Sequence, residues 1–200
     1  MKVIGLTGGI GTGKSTVSAY LRQQNIPVVD ADAIAREITA PGSPVLRDIR
    51  FLLGDEVFHA DGTMDRQRVA SKIFADRQLL QAYEAITTSE AVRKCLEQIE
   101  KYRLEGTSDL IVLDAPLLFE CGMEDCTDED WVVDADLEVR IARVMIRDGL
   151  NRDAIMVRVH RQMSAEDKRL RADYIIDNSG NLENLYMQVD QLLERSRNER

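Results

Sequence analysis

IGLTGGIGTGKSTV, residues Ile4 to Val17, contains the octet Gly8-Gly9-Ile10-Gly11-Thr12-Gly13-Lys14-Ser15. The octet satisfies G-x-x-x-x-G-K-S/T at every fixed position. Before it lies a short apolar run, Val3–Leu6, that reads as a buried strand; after it, Lys14–Gln24 has helical spacing. Glycines let the backbone bend so that successive N–H groups converge on phosphate oxygens, and the positive end of the following helix adds to the attraction. Lys14 is placed to reach the β- and γ-phosphates and the Ser15 hydroxyl to ligate Mg²⁺. A glycine-rich turn that binds nothing also fits the pattern, but it requires neither the strand, nor the helix, nor the lysine.

Working outward, the chain alternates strand and helix. Pro27–Val29 reads as a second strand, Ala31–Thr39 as a second helix, and PGSP at 41–44 as a turn. From Pro44 to about Glu105 no strong strand appears. Val45, Ile49 and Leu52 recur on a helical face that Gly54 stops, and Leu79, Tyr83 and Ile86, then Leu96 and Ile99, continue the helical pattern. Leu110–Leu113 is the third strand, ending at Asp114, and Trp131–Val133 the fourth. Asp136 is expected to cap a helix running to about Arg147, Asn151 to open another, and Ser164-Ala-Glu-Asp167 has the form of a capping box. Tyr174–Ile176 is a fifth strand and Leu182–Arg195 a closing helix, with the terminal RSRNER expected to fray. Alternation of this kind means an α/β fold with a parallel sheet.

The 200 residues, 44% of them apolar, suffice for one domain with an inserted subdomain. A net charge of −9 argues against a general nucleic-acid binder, whose footprint is basic. It leaves room for small anions in a locally basic pocket. Three cysteines, Cys95, Cys121 and Cys126, with no secretory leader at MKVIGLTGG, point to reduced thiols and a cytoplasmic location. No segment approaches the ~20 apolar residues of a membrane span.

Beyond the loop, three features suggest chemistry. Asp114 ends the third strand, where a carboxylate can hold a magnesium-bound water. Asp30 and Asp32 lie past the end of the second strand. One carboxylate there can accept a hydroxyl proton and the other can cap the helix, and spacing does not say which does which. Positions 136–172 carry nine basic and six acidic residues, a local positive excess in an acidic chain, with Arg140, Arg143 and Arg147 stepping by three and four along one helical face. The acidic block from Glu120 to Asp130 reads as a solvated loop. No N-K-x-D element supports guanine recognition.

The runs IGLTGGIGTGKSTV, VVDADAIAR, PGSPVL, DGTMDR, DAPLLFE and ADYIIDN together resemble, in order and spacing, the dephospho-coenzyme A kinase family. The resemblance implies a P-loop NTPase fold: a five-stranded parallel sheet flanked by helices (1–43, 106–135 and 173–200), a helical acceptor-binding insertion (44–105) and a helical lid (136–172). It implies ATP-dependent phosphorylation of the ribose 3′-hydroxyl of dephospho-coenzyme A, giving coenzyme A and ADP, with ATP as co-substrate and Mg²⁺ as cofactor. The partners implied are these two small molecules, with neither nucleic acid nor membrane; the oligomeric state is not indicated. On the family's motif Asp32 is the general base, while Lys14, Arg143 and Arg147 act on the transferring phosphoryl group. Gly8, Gly9, Ile10, Gly11, Thr12, Gly13, Lys14, Ser15, Thr16 and Asn178 would bind ATP. Thr7, Asp32, Arg36, Arg66 and Glu120 would bind the acceptor, and Ser15 and Asp114, through water, the magnesium. In one respect the chain departs from the family: where a His-Pro pair is usual after E-A-I, this sequence reads Thr87-Thr88-Ser89.

Two other readings use the same loop. One is a kinase of the same architecture acting on a nucleoside monophosphate or a sugar-like alcohol, against which D-A-D-x-I-A-R and P-L-L-x-E weigh. The other is a nucleotide-gated binding module without transfer, against which the presence of Lys14, Ser15, Asp32, Arg143 and Arg147 weighs.

Overall fold

Val3, Ile4 and Leu6 are completely buried, as expected of a strand covered on both faces. They belong to β1 (Lys2–Gly8), the middle strand of a five-stranded parallel sheet with β2 (Val28–Asp30), β3 (Leu110–Asp114), β4 (Glu129–Asp134) and β5 (Tyr174–Asp177). The spatial order is β2-β3-β1-β4-β5. Leu6 is in register with Asp114 on one side and with Trp131 on the other, so the carboxyl ends of β1 and β3 lie side by side. The structure, a computed structural model, describes residues 1–198.

Helices connect the strands: α1 (Lys14–Gln23), α2 (Ala31–Glu37), α3 (Val45–Leu53), α4 (Arg66–Ala75), α5 (Arg77–Glu105), α6 (Leu137–Asp148), α7 (Arg152–His160), α8 (Ala165–Arg171) and α9 (Leu182–Asn198). The chain divides into two compact units, Met1–Val29 with Gln98–Arg200, and Asp30–Glu97. In the first, the core is built from Ile4 and Leu6 of β1, Val17 and Leu21 of α1, Trp131 and Val133 of β4, and Leu185, Val189 and Leu193 of α9. A smaller cluster of Ile141, Val144 and Ile155 joins α6 to α7 and takes in Ile10. In the second unit, Val45, Ile49 and Leu53 of α3 pack with Val57, Phe58, Val69 and Ile73, and Leu79, Tyr83 and Ile86 of α5 line the edge.

Strand count, order along the chain and the helical character of 45–105 match the sequence pattern, but three details differ. As far as Asn198 the terminal segment is helical rather than frayed: α9 continues to that residue, and Ser196, 2% exposed, contacts Glu129 through its hydroxyl. Only Glu199 and Arg200 of RSRNER lie outside the described residues. On α5 the inward stripe continues through Cys95 and Ile99, while Leu96 is 42% exposed. The acidic block is no solvated loop either. Met123–Cys126 is a short 3₁₀ turn, and Glu129 and Asp130 open β4, both buried. Asp128 accepts the Val3 N–H at 2.6 Å, and Glu129 takes the Lys2 ammonium at 2.6 Å and the Trp131 indole N–H at 3.1 Å. These acids face backbone and side-chain donors, so their charge holds the amino ends of the strands rather than solvating a surface.

Thr87-Thr88-Ser89 falls inside α5, which runs unbroken for 29 residues. The Thr87 hydroxyl donates to the Tyr83 carbonyl at 2.9 Å and the Ser89 hydroxyl to the Ile86 carbonyl at 3.2 Å. A proline here would remove a helical hydrogen bond and kink the helix; hydroxyl residues bond to the preceding turn without interrupting it. Among the described residues no helix is long and apolar enough to cross a membrane.

Candidate active site

The loop between β1 and α1 takes its shape from Gly11 (φ 79°) and Gly13 (φ 89°), both in the left-handed region that a side chain resists. Thr12 closes the turn, its N–H and its hydroxyl both donating to the Gly9 carbonyl, at 3.2 and 2.9 Å. Gly13 is the N-cap residue of α1, and no side chain caps that helix or places an acid in its first turn. By contrast, Asp30, Asp65, Asn151 and Ser164 cap α2, α4, α7 and α8 with side-chain oxygens. The first-turn amides of α1 are therefore free of side-chain acceptors, and the positive end of its dipole favours an anion.

Lys14 extends from this helix start to Asp114, the last residue of β3, and the ammonium contacts the carboxylate directly. Both side chains are largely withdrawn from water, at 16% and 7% exposure. Ser15 is exposed beside Lys14. The Ser15 hydroxyl and the Asp114 carboxylate are hard oxygen donors of the kind magnesium takes. Among the described residues no cluster of three or more metal-ligating side chains occurs. Two protein oxygens suit Mg²⁺, which keeps several waters and binds phosphates rather than filling an all-protein cage.

α6 supplies the arginines. They do not share one environment, although the sequence spacing puts them on one face. Arg140 is buried (6% exposed), and its Nε donates to the Ile10 carbonyl at 2.9 Å. Burial pushes its pKa down from the usual guanidinium range. Arg143 is half-buried, lies beside Gly13, and has a buried Nη1 with no hydrogen-bond partner. Arg147 is exposed and makes a two-pronged bond to Asp148 at 2.7 and 2.9 Å, which raises its pKa. The structure thus places Arg143 beside the loop and pairs Arg147 with Asp148. Asp136, the N-cap residue of α6, makes no side-chain capping bond; its N–H instead donates to the Ser179 hydroxyl at 3.0 Å.

Asn178 follows β5 and is 4% exposed. Its side-chain amide donates to the Thr12 carbonyl at 2.7 Å and its backbone N–H to Asp134 at 2.8 Å, so this residue fastens the loop to the sheet. Thr7 is fully buried, and its hydroxyl donates to the Pro116 carbonyl at 3.1 Å. The same carbonyl accepts from Lys168 at 3.2 Å, whose ammonium also pairs with Glu120 at 2.9 Å. Glu120 in addition accepts the Met163 N–H at 2.9 Å. Glu120 therefore joins the segment after β3 to the start of α8. Sequence reasoning missed Lys168, which is 1% exposed; its only signal was position within a basic stretch.

The remaining candidates belong to the second unit. Asp30 ends β2 and caps α2, its carboxylate accepting the Ala33 N–H at 2.8 Å. Asp32 lies in the first turn of α2 and is exposed, and Arg36 occupies the last turn, also exposed. Arg66 opens α4 and donates to the Thr39 hydroxyl at 3.0 Å. Of the paired aspartates, the first thus has the capping role.

Comparison with known proteins gives a consistent result. A family model described as dephospho-CoA kinase matches residues 2–184. The chain is 44% identical over 190 residues to a dephospho-CoA kinase of Symbiobacterium thermophilum, covering 95% of this chain and 79% of that one. Its fold matches the crystal structure of TT1252 from Thermus thermophilus with a TM-score of 0.83 at 36% identity, over 97% of both chains. It also matches dephospho-CoA kinase from Campylobacter jejuni with a TM-score of 0.72 over 96% of both chains; at 23% identity that likeness speaks to the fold alone.

Proposed function

This chain belongs to the dephospho-CoA kinase family, and from that premise we propose how its residues carry out the reaction. It transfers a phosphoryl group from ATP to dephospho-CoA in the final step of coenzyme A biosynthesis. The acceptor atom in this reading is the ribose 3′-hydroxyl.

The observation that carries the phosphate side is the arrangement of Lys14, Arg143 and the uncapped start of α1 around one glycine loop. Arg143 has a buried N–H without an acceptor. Leaving such a donor unmet costs free energy, and a phosphate oxygen is the acceptor that would meet it. Loop amides and the α1 terminus take the β- and γ-phosphates, and Lys14 moves from Asp114 to them. Arg143 neutralises charge on the transferring group. Ser15 and Asp114, the latter through water, would hold Mg²⁺, which would supply positive charge against the charge developing on the phosphates. Arg147, committed to Asp148, contributes less than Arg143.

On the acceptor side, Asp32 accepts the hydroxyl proton as the oxygen attacks. The capping bond made by Asp30 supports this division, because it commits the first aspartate to the start of α2. Arg36 and Arg66 give positive charge for the acceptor's phosphates within the 44–105 insertion and its approach. Thr7 and Glu120 act indirectly, by fixing the segment after β3. Positions 136–172 form the lid, whose closure excludes water as a competing acceptor. An acidic chain with this local basic patch suits two small anionic substrates in the cytoplasm rather than nucleic acid.

The test is ADP release measured across acceptors. Dephospho-CoA is expected to turn over with Mg²⁺ and ATP, and phosphorus NMR of the product to show a 3′-phosphate. Turnover of a nucleoside monophosphate or a sugar-like alcohol, with none of dephospho-CoA, overturns the assignment.

A further inference from the structure

Gly9 is not required by the loop pattern, which fixes Gly8 and Gly13 and leaves four free positions between them. Its backbone does not require it either, since Gly9 is not among the residues with positive φ. What requires it is space. A Cβ on Gly9 would stand 2.6 Å from the Arg140 Nη2 and 3.2 Å from its central guanidinium carbon. It would also stand 3.6 Å from the Gln162 Oε1. Two side chains from beyond β4 converge on this point of the loop.

Both then bond to the next residue. The Gln162 side-chain carbonyl accepts the Ile10 N–H at 2.9 Å, and the Arg140 Nε donates to the Ile10 carbonyl at 2.9 Å. The Ile10 side chain packs into the cluster of Ile141, Val144 and Ile155. Ile10 is thus held at its N–H, its carbonyl and its side chain by α6, α7 and the turn that follows them. Neither bond uses the amides at the start of α1.

We infer that Gln162 and Arg140 are positioning residues that clamp the Ile10 segment and thereby hold the phosphate loop in its nucleotide-binding shape. The inference rests on the reading of this loop as the ATP site. A free glycine-rich loop would have to lose conformational freedom on binding, and a clamped one has already lost it. The clamp therefore acts on affinity for the triphosphate and leaves the acceptor's affinity alone.

Gln162 is half-buried on a turn, so Gln162→Met keeps the bulk of the side chain and removes the acceptor. Calorimetric titration with ATP and Mg²⁺ is expected to show binding about tenfold weaker than wild type, the effect of one lost hydrogen bond. KM for dephospho-CoA is expected to stay at the wild-type value, with the melting temperature lower by no more than about 2–4 °C for the one lost hydrogen bond. Arg140→Lys, which keeps the charge but not the directed Nε–H, is expected to weaken ATP in the same way. The double variant should lose less than the product of the two single effects, because both act through Ile10. Equal ATP affinity in Gln162→Met and wild type overturns the clamp. So does a parallel loss of ATP affinity, acceptor affinity and melting temperature, which marks a general structural defect. Coenzyme A formation by the wild type is scored on the same samples. Its absence sinks the acceptor assignment, whereas the ATP titration still decides the clamp.

Discussion

The Lys14 ammonium and the Asp114 carboxylate form a direct ion pair between the first residue of α1 and the last of β3, both largely withdrawn from water. Each group has a second role in the proposed chemistry, so the pair holds both in place and must open when nucleotide and metal arrive. Lys14→Ala leaves a mostly buried carboxylate without its counter-charge. The expected loss of stability is about 2 kcal/mol, below the ~3–5 kcal/mol of a fully buried pair because Lys14 keeps some exposure. Activity should fall by at least ~10² through lost phosphate stabilisation. Lys14→Ala combined with Asp114→Asn is expected to recover the stability and none of the activity. Urea unfolding and ADP release on the three proteins check both halves.

Arg143 gives the opposite relation between stability and activity. Its buried Nη1 has no acceptor, so the folded protein bears an unmet desolvation cost at that atom. Arg143→Met is expected to keep or slightly raise the melting temperature while lowering kcat by roughly 10³. A matching loss in Arg147→Met would mean that the Asp148 pair does not keep Arg147 away from the reaction.

The two aspartates of α2 should separate cleanly. Asp32→Asn is expected to lower kcat by about 10²–10⁴ with ATP binding retained. Asp30→Ala removes an N-cap, costs about 1 kcal/mol of stability, and should leave kcat within about tenfold. Measuring kcat, ATP affinity and unfolding on both variants decides the roles; a larger kcat loss for Asp30→Ala reverses them.

How far the sequence could be read follows from what each signal depends on. The phosphate loop was legible because its requirement is local: left-handed glycines, a lysine and a helix start within eight residues. Strands β1, β3 and β4 were legible because burial on both faces leaves uninterrupted apolar runs. Asp128, Glu129 and Asp130 misled for the reverse reason. Apart from Thr127, their partners are distant in the chain: the Val3 amide and Lys2, which the register of β4 beside β1 brings to them, Asp173, which precedes β5, and Ser196 on α9. Local acidity alone reads as a solvated loop. The Gln162 contact with Ile10 spans 152 positions, and no periodicity announces it. Arg140, Arg143 and Arg147 had the right spacing, but spacing places side chains on a helix face and does not say which of them the loop covers.

Asp130 yields a prediction in the pH dependence of stability. The carboxyl is 8% exposed at the start of β4, accepts the Thr127 hydroxyl at 2.8 Å, and lies near Asp173, Glu124 and Glu129. Burial first, and then those neighbouring acids, push its pKa up to about 6, from 3.8. A folded-state pKa above the unfolded one means the native protein binds this proton more tightly, so the site destabilises the fold once it ionises. The deficit is absent below pH ~4, grows as the pH rises through about 6, and is complete by pH 8. From the size of the shift it amounts to at most about 3 kcal/mol. Asp130→Asn keeps an oxygen for Thr127 and removes the titration. It is expected to be more stable than wild type by about 1–3 kcal/mol at pH 8, with the gap closing by pH 4. Urea unfolding of both proteins across that range checks it, and a gap that stays constant with pH would show that Asp130 ionises as an ordinary surface carboxylate does.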